Sequence, residues 1–283
     1  MKSQIELHSH IYLDRYGLEK VVEVMDHNGL NVVAPLYLNA QSFEDLKRAA
    51  EAIRKFGYVP EADDLAIRIE RDGKRYFLLR GAELDTSKEE YKPNFHIITL
   101  GYDGVRPLQP IRTMIDDALS HDAFVIWDHP LVNNSNAAKQ TPDHLVPAMK
   151  HLCRAYSGKL ALEWNGYCIP WVRKALGGRD VNKEVIDLSV NLATEGSNNP
   201  VVTDTDLHAR TAFALKVLGT ARIKTDLDLT AGRTIIDSLK RNVFSLNYEN
   251  TYQTVPLWHF VPCWGVPYAL EKFAGISLHK PRG

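Results

Sequence analysis

The chain has 283 residues, 45% of them hydrophobic, enough to bury a substantial core as one large α/β domain or two ordinary ones. Lysine and arginine together number 34 against 35 aspartates and glutamates, a formal charge of -1, which excludes the broad basic field that advertises nucleic-acid binding. Three scattered cysteines (Cys153, Cys168, Cys263) without a CxxC argue against a disulfide framework, and the lack of a hydrophobic leader or of an apolar run of roughly 20 residues makes the cytoplasm the expected location, with no membrane partner.

In chain order the strands read as QIELH (4–8), NVVAPL (31–36), RYFLLRGAEL (75–84), HIITLGY (96–102), AFVIWDH (123–129), KLALEWN (159–165) and PVVTD (200–204), about seven by this pattern. Amphipathic helix patterns fall between them at 18–28, 42–56, 111–120, 142–156, 183–194, 209–218 and 230–241. Thr141 before Pro142 fits an N-cap and first turn, while Gly29 and Gly57 fit helix C-ends. Asp72-Gly73, between two alternating runs, predicts a β-hairpin insertion at about 65–80. The tail from about 250 to 283 is aromatic and proline-rich, a segment expected to pack over a single domain spanning 1–283 rather than to form a second one.

Strands alternating with helices predict βα units, either closed as a barrel or open as a doubly wound sheet. In both architectures chemistry gathers at the C-terminal strand ends, and the polar residues there form a pattern. His8 and His10 stand two apart in a strand, so they share a face and can share a ligand. Glu83 ends an otherwise apolar run, where a carboxylate needs a partner, a cation or a path to solvent. His129 ends the fifth strand before Pro130, and VVTDTDLH places Asp206 and His208 two apart just after Asp204. His96 begins its run rather than ending it, and pattern alone reads it as a buried histidine. Taken together these strand ends supply the mixed histidine and carboxylate ligands that suit zinc, manganese or iron. No cysteine has the spacing of a structural zinc site.

The motifs carrying this pattern resemble those of the PHP family, the polymerase and histidinol phosphatase metal-dependent phosphoesterases. ELHSH resembles the opening D-x-H-x-H with Glu6 replacing the aspartate, and GAELD resembles the G-x-E motif. HIITLGY, DHP and TDLHA are similar to the later histidine-led, H-P and S-D-x-H motifs. They occur in family order over residues 6–209. The resemblance implies a distorted seven-stranded TIM-like (β/α) barrel with metals at its mouth. His8, His10, Glu83 and Asp206 would bind one ion, Glu83 would bridge to a second held by His96 and His129, and His208 belongs to a third site. Where the family has T-D-H, this chain has Leu36, Tyr37 and Leu38, so the third-site histidine is replaced by Leu38 and Asp14 is displaced by one residue. Two divalent ions are therefore expected, with the third site lost or weak.

The activity so implied is hydrolysis of a phosphoester by a hydroxide that two metal ions activate. Arg210 or Arg15 would offset charge on the phosphate, His208 would donate a proton, contact the phosphate or instead ligate the second metal, and Asp128 and Asp204 would orient ligand histidines. A small phosphorylated metabolite or nucleotide is the expected substrate, a nucleic-acid end being compatible, and Trp258 or Trp264 could stack on a base. Two rivals stand beside this reading: a metal-binding module of the same fold without catalysis, and an amidohydrolase-type hydrolase, whose bridging lysine has no counterpart at these strand ends.

Overall fold

The structure, a computed structural model, describes residues 2–39, 43–87, 95–132, 141–175 and 177–262. Its strands are β1 (Ser3–Ile11), β2 (Val32–Pro35), β3 (Val59–Ala62), β4 (Ala66–Arg71), β5 (Lys74–Leu79), β6 (Gly81–Asp85), β7 (His96–Leu100), β8 (Phe124–Asp128), β9 (Leu160–Asn165), β10 (Val201–Asp204), β11 (Leu207–Ala209), β12 (Arg222–Thr225) and β13 (Glu249–Thr251). They form two sheets. One runs β13-β12-β1-β2-β5-β4-β3, with β11 also paired to β1, and the other runs β10-β9-β8-β7-β6.

The α/β class is as expected, but the strands are not uniformly parallel. β6, β7 and β8 pair antiparallel, as do β3, β4 and β5. The linker between β6 and β7, residues 86–95, is shorter than the dozen or so residues that a parallel crossover needs. RYFLLRGAEL is not one strand. It breaks at Arg80, which ion-pairs with buried Asp103 at 2.6 Å, and its halves β5 and β6 enter different sheets. Gly81 makes that crossing possible, because a Cβ there would lie 2.5 Å from the Thr99 carbonyl oxygen.

Helices Leu18–Asn28 and Ile111–Ser120 form where the periodicity places them, and Gly29 ends the first in a left-handed conformation. The expected helix at 209–218 does not form. Its first residue completes β11, which pairs with β1, and only a 3-10 turn, Ala214–Val217, follows, so tertiary pairing overrides the local pattern.

One apolar cluster joins both sheets, taking Ile5, Leu7, Leu36 and Leu79 from the first and Ile98, Leu100, Phe124, Ile126, Ala161 and Val202 from the second, with helix Gly232–Phe244 packed on it through Ile235, Ile236 and Leu239. The outer face of each sheet is covered by helices in its own cluster. Strand alternation carries the inner face of the second sheet from these apolar residues directly into Glu83, His96, Asp128, Glu163 and Asp204. The two sheets meet beside those residues. Leu38 bridges to Glu83, and Asn39 N–H donates to the Glu83 carbonyl at 2.8 Å. Among the described residues no continuous ladder closes the sheets into a barrel.

Candidate metal centre

β1 presents its polar residues where its pairing is interrupted. On one edge it pairs with β12 through Ser3–Ile5 and with β11 through Ser9–Ile11. Between these short ladders the buried Glu6 carboxylate accepts hydrogen bonds from Thr205 N (2.8 Å), Thr205 Oγ1 (2.6 Å) and Gly219 N (2.9 Å). Burial pushes Glu6 up to about 7, against the pull of the Thr205 hydrogen bonds. Glu6 is thus a strut that ties β1 to the loops beyond β10, its oxygens already engaged.

His8, His10 and Asp206 form one group of converging donor atoms. His8 Nε2 lies 3.1 Å from His10 Nε2, 3.4 Å from Asp206 Oδ1 and 3.6 Å from Glu83 Oε2. Glu83, His96, Asp128 and His129 form a second group. His96 Nδ1 lies 2.5 Å from Glu83 Oε1 and 3.4 Å from Asp128 Oδ2, while His129 Nε2 lies 3.0 Å from Asp128 Oδ2. Glu83 spans the two groups, since its other oxygen, Oε2, is 3.0 Å from His10 Nε2. Asp204 lies fully buried behind His8, its Oδ1 3.9 Å from His8 Nδ1.

The backbone is distorted where it delivers these ligands. His129 has φ 25° and Asp206 φ 50°, both in the left-handed region that costs a non-glycine residue on the order of 1–3 kcal/mol. Neighbouring residues of a strand point to opposite faces, and the turn at His129 brings its ring back beside Asp128.

The electrostatics are those of histidines and carboxylates packed against one another out of water. Burial pulls the His8 ring down, but Asp206, Asp128 and Glu163 outweigh it and hold it well above its usual range. Burial likewise opposes the charged form of His129, yet Asp128 and Glu163 raise it to about 9. Burial pushes Glu83 up, and His10, His8 and His96 more than reverse this and keep it ionised. Burial and Asp128 raise Glu163 to about 7.

The donor set fits divalent ions on a further observation. The Asp128 and Asp204 carboxylate oxygens, His96 Nδ1 and His129 Nδ1 are buried without a hydrogen-bond partner among the described residues. Buried polar atoms normally make hydrogen bonds, and these approach neighbouring ligand atoms closely, as His96 Nδ1 does Glu83 Oε1 at 2.5 Å, without that geometry, which is compatible with coordination.

His208 aligns with His10 across the β1–β11 ladder, and its ring stacks on the His10 ring at 4.3 Å between centroids. Its outer edge reaches solvent, yet burial of the ring and the neighbouring His10 push it down to about 4. Arg15 Nη1 donates to the Arg210 carbonyl at 3.2 Å, and Arg210 N–H donates to the His208 carbonyl at 2.9 Å. Asp14 is exposed in the short helix Leu13–Tyr16. Trp258 is exposed against Phe213, while Trp264 and Cys263 lie outside the described residues.

Sequence reasoning missed Glu163 and Asp85. Glu163 carried the signal that marked Glu83, a carboxylate within an apolar strand. Asp85 holds His96 Nε2 at 2.8 Å and is itself held by Asn39 Nδ2 at 2.7 Å. His96 reaches the site because β7 runs antiparallel to its neighbours, so its first residue pairs with the last residues of β6 and β8, Asp85 and Asp128.

No protein-family profile and no curated protein sequence matches the chain. Solved structures do. The chain is similar, at 14% identity and a TM-score of 0.52, to a two-domain protein from Bacteroides vulgatus containing a predicted PHP-like metal-dependent phosphoesterase. That match covers 89% of this chain, and the chain spans 65% of the two-domain protein's length. It is also similar to PsfC from Pseudomonas syringae, at 13% identity and a TM-score of 0.56, over 96% of this chain and 99% of that one. At such identities the likeness is one of fold alone, shared with a protein that contains a predicted PHP-like phosphoesterase. No described helix is long and apolar enough to cross a membrane.

Proposed function

We propose that the chain is a metal-dependent phosphoesterase of the PHP kind, a single domain whose two sheets are arcs of one distorted barrel, acting on a small phosphorylated metabolite or nucleotide. The observation that carries this is the buried, unpaired donor set at one end of the shared core of a PHP-like fold. His8, His10, Glu83 and Asp206 would hold one divalent ion, and Glu83, His96, His129 and Asp128 the other, with zinc, manganese or iron suited to these ligands. Bound ions would supply Lewis acidity toward phosphate oxygens and lower the pKa of water. Asp128 takes a more direct part than the orienting role its sequence suggests, because its oxygens lie among the converging donors, 3.0 Å from His129 Nε2 and 3.4 Å from His96 Nδ1.

The remaining residues position and shield. Asp204, buried behind His8 and grouped with it and Glu163, would steady His8 from its Nδ1 side. His208, neutral near pH 7 and open on one edge, suits a phosphate contact better than proton donation. Arg210, two residues after His208 and joined to Arg15 through its carbonyl, is the candidate cation for the phosphate. The exposed Leu38, backbone-paired with Glu83, stands where a third ligand would have to come from, which favours two ions over three. That same replacement supports the second reading, a metal-holding module without turnover. Glu83, not a lysine, joins the two donor groups, which speaks against an amidohydrolase-type centre.

The test is phosphate release from a panel of phosphomonoesters and diesters with manganese or zinc, wild type beside His129→Ala. Turnover lost in the variant supports the hydrolase. Two bound ions with no turnover on any phosphoester would establish the module instead.

A further inference from the structure

Glu163 contacts both halves of the centre. One oxygen, Oε1, lies 2.7 Å from His8 Nδ1. The other, Oε2, accepts from His129 N–H at 2.8 Å and from Asn165 Nδ2 at 3.3 Å. Asn165 Nδ2 also donates to Asp206 Oδ2 at 2.7 Å. The orientation of that amide is fixed, because Asn165 Oδ1 accepts from Tyr167 N–H at 2.9 Å, which turns the NH2 group toward the two carboxylates. Glu163 is fully buried and both its oxygens are hydrogen-bonded, unlike those of Asp128 and Asp204.

We infer that Glu163 is a shared positioning residue, one carboxylate that sets the ligands of both ions, and that Asn165 extends its reach to one ion only. The inference rests on the metal-centre reading above. Glu163 holds His8 by Nδ1, leaving Nε2 as the atom that faces His10, Asp206 and Glu83. It also secures the backbone of His129, whose φ of 25° needs an external tether to persist. Asn165 restrains Asp206 alone among the ligands and reaches the His129 side only through Glu163. A buried carboxylate on the far nitrogen of a ligand histidine typically supports metal affinity by 10–100-fold.

The experiment is titration of the metal-free protein with cobalt(II), followed by calorimetry and by the visible absorption of the bound ion, for wild type, Glu163→Ala and Asn165→Ala. Circular dichroism of each metal-free protein reports folding. Two ions in wild type, both weakened about 10–100-fold in Glu163→Ala and one weakened in Asn165→Ala with the other's absorption band unchanged, is the result expected. Wild-type affinities for both ions in a folded Glu163→Ala protein would overturn the inference while leaving the metal centre standing. Failure of wild type to bind any ion would overturn both. If Glu163→Ala does not fold, Asn165→Ala decides: selective weakening supports the inference, and equal effects on the two ions, or none, refute it.

Discussion

The two halves of the centre are built from different kinds of sheet. His8, His10 and Asp206 come from β1 and the turn leading back to it, and β1 is parallel to β2 and β11. Glu83, His96, Asp128 and His129 come from β6, β7 and the end of β8, where β7 runs antiparallel to both neighbours. In the parallel half a spacing of two delivers both histidines to one face, so the ligands announce themselves in the sequence. In the antiparallel half one ligand arrives from the first residue of its strand, and two adjacent residues reach the same place through a left-handed backbone at His129. The same cluster is thus legible throughout on one side and only in part on the other, where Glu83 and His129 carried a strand-end signal and His96 did not. Glu83 and Glu163 are what make the halves one site.

The largest effect should come from removing the residue that spans them. Glu83→Ala is expected to empty both halves and to lower turnover by more than about 100-fold, beyond the usual cost of losing a supporting group. Elemental analysis beside phosphate release checks it, and one ion retained at full affinity would mean that the halves do not share Glu83. His10→Ala and His129→Ala should act more locally, each reducing bound metal from two ions to one. Loss of both ions from either variant would show that the halves cannot be separated.

A stability effect follows from the strut beneath the first half. Glu6→Ala leaves Thr205 N–H and Gly219 N–H buried without their acceptor, at a cost of roughly 2–6 kcal/mol from about 1–3 per orphaned group. Urea unfolding of the metal-free protein measures this apart from any metal effect, and an unchanged midpoint would show that the loops re-pair without Glu6. The smallest effect concerns thiols outside the comparison. Burial pushes Cys153 and Cys168 up to about 12, so at pH 8 only on the order of 1 in 10,000 of each is thiolate. Peptide mapping after brief alkylation of the native protein should find both unlabelled until denaturant is added, and ready labelling of Cys168 would mean that the wall behind Asp206 opens.

The sequence by itself determined what depends on near neighbours. The helix Leu18–Asn28 and its Gly29 end follow from periodicity and from glycine's freedom at positive φ, and the face shared by His8 and His10 follows from alternation. Glu83 was legible because a carboxylate in an apolar strand demands a partner. Only the tertiary structure decided the direction of β7, which turns His96 from a strand's first residue into a ligand beside Asp128. It also decided the break at Arg80 that sends β5 and β6 into different sheets, and the pairing with β1 that replaced a helix at 209. Glu6 reaches Gly219 across 213 residues, and Glu163 reaches His8 across 155. Such bonds leave no local signature, because which distant donor meets a buried carboxylate is fixed only when the sheets pack.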